Sequence, residues 1–216
     1  MEEVIPGLYA SPPETLPFAP SLEVHAFLLR RDPGNLLIYG AGTLTADARE
    51  IEGVGGVSRR YLKHRHEAAF AGDQDSWTYG APLLCHENER RSVSERLEVS
   101  GTFSERHVVG RDFEVIPIPG HTRGATAYLW DTEEHRCFFT GDTVYLRRDE
   151  WMAAVLQSSD REAYVESLEL IRGLDFDVLV PWAASAGEPY YDFTDEADSR
   201  RRIDAILERV RSGGDA

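Results

Sequence analysis

"VIPIPGHTRGATAYLW", residues 115–130, decides how this chain is read. An apolar run ends at Pro119-Gly120, so His121 and Thr122 fall on a tight turn at a strand edge, where functional side chains tend to emerge. "CFFTGDTVYL", residues 137–146, repeats the arrangement: an apolar strand delivers Asp142 directly after Gly141. Upstream, "RRYLKHRHEAAF", residues 59–70, places His64 and His66 two apart, a spacing that lets neighbouring imidazoles converge on one cation. Glu67, Ala68 and Ala69 follow, with methyl groups where further ligands would stand. His64, His66, His121 and Asp142 thus all sit at or just beyond the C-terminal ends of predicted strands.

Around these stretches the chain alternates strands and helical segments, which implies α/β layering. An entry strand is expected from about Val4 to Ala10. "VHAFLLRRDPGNLLIYGAG", residues 24–42, reads as strand, turn, strand, because Asp-Pro-Gly-Asn breaks two apolar runs. "ATAYLWDTEEHRCFFTGD", residues 125–142, has the same plan, which hints at an internal duplication. Helices are expected from Thr45 to about Ile51, from Ala68, and over residues 158–174, where Ser159 and Glu162 make a capping box and Gly173 a stop. "PLLCHE" and "FDVLVPW" read as strands, and a last helix from about Glu196 to Arg211 sets Ile203, Ile206, Leu207 and Val210 on one face.

The 216 residues are read as one domain, 1–216, with no linker. Net charge is −15, and among the basic residues only Lys63 is a lysine. A polyanion would be repelled, so no nucleic-acid partner is expected. The acidic, proline-broken N-terminus does not look like an export signal, and no window approaches the roughly 20 apolar residues of a membrane span. A soluble, cytoplasmic protein is the expectation, with Cys85 and Cys137 as buried free thiols. The sequence leaves the oligomeric state open.

The ordered trio "HRH", "PGHTRG" and "FFTGD" between two strand-turn-strand halves resembles the metallo-β-lactamase superfamily. The resemblance covers nearly the whole chain and implies an α+β fold, a four-layer αββα sandwich with a metal site at one edge of the sheets. The family's first motif usually reads HxHxDH, so the match carries over His64 and His66 but places Ala68 at the aspartate and Ala69 at the last histidine. A further histidine usual after the final core strand is replaced in "LVPWAASAGEP" by Trp182, Ala183 and Ala184. The losses fall together: what the resemblance implies for the first metal position survives, and of the second only the shared Asp142 does.

The implied site is therefore one Zn²⁺ held by His64, His66 and His121, with Asp142 as fourth ligand or as a base acting on water. The implied activity is hydrolysis of a small ester, thioester or related acyl substrate, with His121 and Asp142 as the catalytic pair. Two histidines and Asp142 also match the ligand set of non-haem Fe²⁺ oxygenases, so a mononuclear iron dioxygenase acting on a thiol or persulfide is an alternative. A non-catalytic relative that binds no metal is the other. Glu67, His86, Arg123, Tyr145 and Trp182 are further candidates for the pocket. Glu67 could replace the lost carboxylate, but in an extended segment it would point opposite to His66. Trp182 could fill the vacated second-metal space. His25, His107 and His135 lie in strand or turn contexts without ligand-like neighbours.

Overall fold

The computed structural model describes residues 1–70 and 80–214. The chain folds as two compact units, Met1–Ser104 and Glu105–Ala216.

In the first unit, β1 (Glu2–Ile5), β2 (Leu8–Ala10), β5 (Phe27–Leu29), β6 (Leu36–Ile38), β7 (Arg59–Tyr61), β8 (Leu83–His86) and β9 (Gly101–Phe103) form a sheet in the order β1-β2-β5-β6-β7-β8-β9. Antiparallel pairing runs as far as β6, and each later neighbour is parallel. β3 (Glu14–Leu16) and β4 (Ala19–Val24) pair antiparallel with each other and are not strands of that sheet. Strands β5 and β6 are buried at every residue, in keeping with their unbroken apolar sequence. The turn between them is tied down by Asn35, whose amide donates to the carbonyls of Val54 and Gly56 while its oxygen accepts from Arg31.

Local structure departs from the sequence reading at several points in this unit. The single entry strand is a hairpin, because Gly7 at φ +84° turns the chain. The helix expected from Thr45 is a 3₁₀ turn, Gly42–Asp47, that runs on into α1 (Ala48–Gly53). Residues Arg65–Ala69 form a 3₁₀ turn, while any helix continuing past 70 lies outside the described residues. The short helix α2 (Glu87–Val93) follows β8, and Leu28, Leu37, Ile51, Leu62, Leu83 and Val93 pack into the core on this side of the sheet.

The second unit opens with β10 (His107–Val109), β11 (Phe113–Pro117), β12 (Thr126–Asp131) and β13 (Arg136–Gly141), paired antiparallel in succession. β14 (Tyr145–Arg147) pairs antiparallel with β15 (Glu150–Met152) and parallel with β17 (Ala183–Ser185). After α3 (Arg161–Arg172), β16 (Val178–Pro181) returns parallel to β13, and β18 (Asp192–Phe193) closes the order β10-β11-β12-β13-β16-β18. Each unit therefore builds a meander and then adds a parallel strand through a helix, β6-α1-β7 in one and β13-α3-β16 in the other.

α4 (Glu196–Arg211) occupies the range its periodicity predicts, with Asp195 capping through Asp198 N–H at 2.8 Å. Ile203, Ile206, Leu207 and Val210 are buried with Leu168 and Ile171 of α3. α3 starts one residue later than the Ser159/Glu162 box requires. Asp160 is its N-cap, accepting from Ala163 N–H at 3.1 Å, because Ser159 is engaged elsewhere.

Candidate metal centre

In the first unit, β7 hands the chain to His64 and His66. The rings stand nearly perpendicular, at 86°, with centroids 4.8 Å apart. His64 is fully buried and His66 partly so. Burial, then the nearby charges of Lys63, His66 and Arg65, hold the His64 pKa well below the usual imidazole value, so the ring is neutral. Glu67 does not point away from this pair. The extended reading fails because residues 65–69 turn as a 3₁₀ helix, which brings Glu67 Oε1 to 2.9 Å from His64 Nδ1. Ala68 is buried and Ala69 exposed, and neither side chain offers a donor atom.

In the second unit, the turn carrying His121 is built around Gly120 at φ +138°. A Cβ there would lie 2.4 Å from the Tyr164 Cα, so only glycine lets the turn rest on α3. The start of α3 then pins it. Asp160 N–H donates to Gly120 O at 2.9 Å, Ser159 Oγ to His121 O at 3.1 Å, and Ser167 Oγ to Pro119 O at 2.6 Å. Asp142 follows Gly141, and the buried Tyr164 hydroxyl donates to the carbonyls of Thr143, at 2.7 Å, and Asp142, at 3.3 Å. Tyr164 thus touches both turns, a role its helical periodicity does not announce.

His121 Nδ1 lies 2.7 Å from the Ala154 carbonyl oxygen. A carbonyl only accepts, so Nδ1 carries the hydrogen, and in the neutral ring Nε2 carries a lone pair. That Nε2 stands 3.5 Å from Asp142 Oδ2, and the two side chains are 1% and 15% exposed. A proton on Nε2 would make them an ion pair, and a metal ion would hold both lone pairs at once. Two ligands each about 2.1 Å from one tetrahedral ion stand about 3.4 Å apart. The pair fits a divalent metal on its chemistry and on its spacing.

The other candidates are placed as follows. His86 caps α2, its Nδ1 accepting from Asn88 N–H at 3.1 Å, with its ring edge-on to Phe103. Arg123 is exposed on the His121 turn. Tyr145 is buried in β14, and burial raises the pKa of its phenol. Trp182 is buried between β16 and β17 and donates its main-chain N–H to Gly141 O at 3.3 Å. His25 bonds Ser11 O, His107 bonds Glu105 O and His135 bonds Asp177, consistent with structural roles. Cys85 and Cys137 are buried free thiols. No helix among the described residues is long and apolar enough to cross a membrane.

Comparison with known proteins places this geometry. The hydroxyacylglutathione hydrolase of Erwinia tasmaniensis is 27% identical over 122 residues, 56% of this chain and 47% of that protein, so the match spans about half the relative's length. The structure of a metallo-β-lactamase from Pontibacter korlensis aligns over 96% of this chain and 97% of its own, with TM-score 0.67 and 17% identity. That of the DIM-1 metallo-β-lactamase aligns over 96% and 95%, with TM-score 0.73 and 14% identity. The fold is the α+β αββα sandwich of these proteins. The model of the metallo-β-lactamase superfamily matches residues 47–183, a span that holds His64, His66, His121 and Asp142 alike. By that match, which takes in both motif-bearing turns and more than half of its length, the chain belongs to the metallo-β-lactamase superfamily.

Proposed function

We propose that the chain is a metal-dependent hydrolase of a small ester, thioester or related acyl substrate, working with a single ion. Its proposed ligands are His64, His66 and His121, with Asp142 as fourth ligand or as base. The observation that carries this reading is the facing pair in the second unit, His121 Nε2 and Asp142 Oδ2, 3.5 Å apart with the ring hydrogen already committed to Ala154.

Three imidazoles suit an open tetrahedral Zn²⁺ site whose fourth position goes to water or to Asp142. Such an ion, when bound, polarises a carbonyl and acidifies water. Where water takes that position, Asp142, the more exposed of the facing pair, would orient it and take up its proton. Tyr145, kept protonated by burial, is a hydrogen-bond donor for a substrate oxygen. The positions of Ala68, Ala69, Trp182, Ala183 and Ala184 provide no second set of ligands, so one ion per chain is expected. The acyl class is supported by the relative named as a hydroxyacylglutathione hydrolase. The substrate is a small molecule and the setting is the cytoplasm, with no nucleic-acid partner.

Elemental analysis and turnover test the proposal together. The wild type should carry one zinc and hydrolyse S-acyl glutathione or p-nitrophenyl acetate, and His121→Ala should lose both. Unchanged turnover in that variant removes the mechanism. No metal on titration supports a non-catalytic relative, and bound iron with oxygen consumption on a persulfide supports a dioxygenase.

A further inference from the structure

Glu67 has no exposed surface, and neither does His64. An ionised carboxylate so placed persists only where hydrogen bonds replace its lost hydration. One oxygen, Oε1, collects them: it accepts from Lys63 N–H at 3.0 Å, from His64 N–H at 3.1 Å, and lies 2.9 Å from His64 Nδ1. The main-chain groups can only donate. The same turn also sets the Glu67 main-chain N–H toward the His64 side chain; of these two neighbours of the ring, Oε1, an oxygen already accepting two N–H bonds, is the one that calls for hydrogen on Nδ1. With hydrogen on Nδ1, the ring keeps its lone pair on Nε2.

The turn itself makes this contact. With His64 at the N-cap of residues 65–69, the residue three further on reaches back across the turn, and Glu at that position returns its carboxylate to the His64 main chain. The turn is held again from α2, where the buried Glu89 accepts from Arg65 N–H at 2.8 Å. An acidic side chain where the family's motif has no defined residue is thus the best-bonded group of the segment.

We propose that Glu67 is a positioning residue for metal binding, which fixes the Nδ1–H tautomer of His64 and so makes Nε2 its ligand atom. It does for His64 what the Ala154 carbonyl does for His121, with the difference that a carboxylate also raises the basicity of the ring. The inference rests on the one-ion reading above.

The test uses the full chain in apo form, with long-range ¹H–¹⁵N NMR of the imidazole nitrogens and calorimetric titration with Zn²⁺ alone, on wild type, Glu67→Gln and Glu67→Met. Wild-type His64 should show hydrogen on Nδ1. Glu67→Gln, whose amide oxygen can still accept, should keep that tautomer, whereas Glu67→Met should move hydrogen toward Nε2 and weaken zinc binding about 10- to 100-fold. Zinc binding in Glu67→Gln should be less affected than in Glu67→Met. Hydrogen on Nε2 of wild-type His64 overturns the proposal, as does a Glu67→Met protein that binds zinc like wild type. Should Glu67→Met not fold, the wild-type spectrum and Glu67→Gln decide the matter. A wild type that takes up no zinc overturns the one-ion reading and Glu67's part in it, while a wild type that binds zinc with an unaffected Glu67→Met overturns Glu67's part alone.

Discussion

Gly120→Ala exposes the link between the His121 turn and the rest of the second unit. The added Cβ would meet Tyr164 Cα at 2.4 Å, Tyr164 N at 2.6 Å and Tyr164 Cβ at 2.7 Å. Carbon atoms rest at about 3.5–4.0 Å, so turn and helix must part by about 1 Å. Two of the three obstacles are helix backbone, which cannot swing aside as a flexible side chain would. Alanine at φ +138° adds strain of about 1–3 kcal/mol, and overpacking about 1–3 kcal/mol more. The loss is then roughly 2–6 kcal/mol, a large share of the about 5–15 kcal/mol that holds a domain folded. Urea unfolding followed by circular dichroism measures it, and the melting temperature should fall by roughly 2–4 °C per kcal/mol. Zinc affinity should fall as well, because displacing α3 moves the Tyr164 hydroxyl that holds the Asp142–Thr143 carbonyls. A variant within about 0.5 kcal/mol of wild type, the range of an ordinary surface change, would refute the close approach.

Tyr164→Phe keeps the ring but leaves the Thr143 carbonyl without its 2.7 Å donor, so about 1–3 kcal/mol of stability should go, together with some zinc affinity; affinity equal to wild type would separate Tyr164 from the site. His25 is held below its usual pKa by burial, against the opposing Ser11 bond and Glu23 charge. Below an unfolded value of about 6.5 the unfolded chain takes up a proton that the folded one resists, so stability declines as pH falls from there toward the folded pKa. Urea midpoints across that range should fall more steeply for wild type than for His25→Gln, and equal slopes would sink the assignment. Burial pushes the Cys85 and Cys137 thiols up to about 12. Iodoacetamide at mildly alkaline pH should label them only after unfolding, and rapid labelling of the folded protein would contradict their burial.

Where a candidate side chain stands at the end of an apolar run, the sequence is explicit about its place. His121 after Pro119-Gly120, Asp142 after Gly141, and the His64/His66 pair after β7 can be located without coordinates, as can α4, whose apolar stripe and acidic cap agree. What holds these groups is less visible. The Ala154 carbonyl that orients His121 is main chain and leaves no signature in residue identity. Period-two alternation sends Glu67 in the wrong direction, because the segment it is applied to turns as a 3₁₀ helix. His86 offers a ligand atom by residue type, but its Nδ1 satisfies the first turn of α2, a task more often given to Ser, Thr or Asp. Tyr164 is recognisable as core from its spacing, yet its hydroxyl is what joins α3 to the Asp142 loop.

His64 and His121 are held by devices of different reach. His64 is fixed within a span of four residues, by Glu67 across one turn. His121 is fixed by a carbonyl 33 residues away, on a segment that also contacts Asp142 through Ala154 N–H at 3.2 Å. His121 and Asp142 therefore depend on the same packing of α3 and the loop before it, and a disturbance there moves both side chains at once. His64 should be indifferent to it. In Gly120→Ala the His64 ring should keep its wild-type tautomer while the His121 signals shift, and a joint change would mean that the two histidines are not fixed independently.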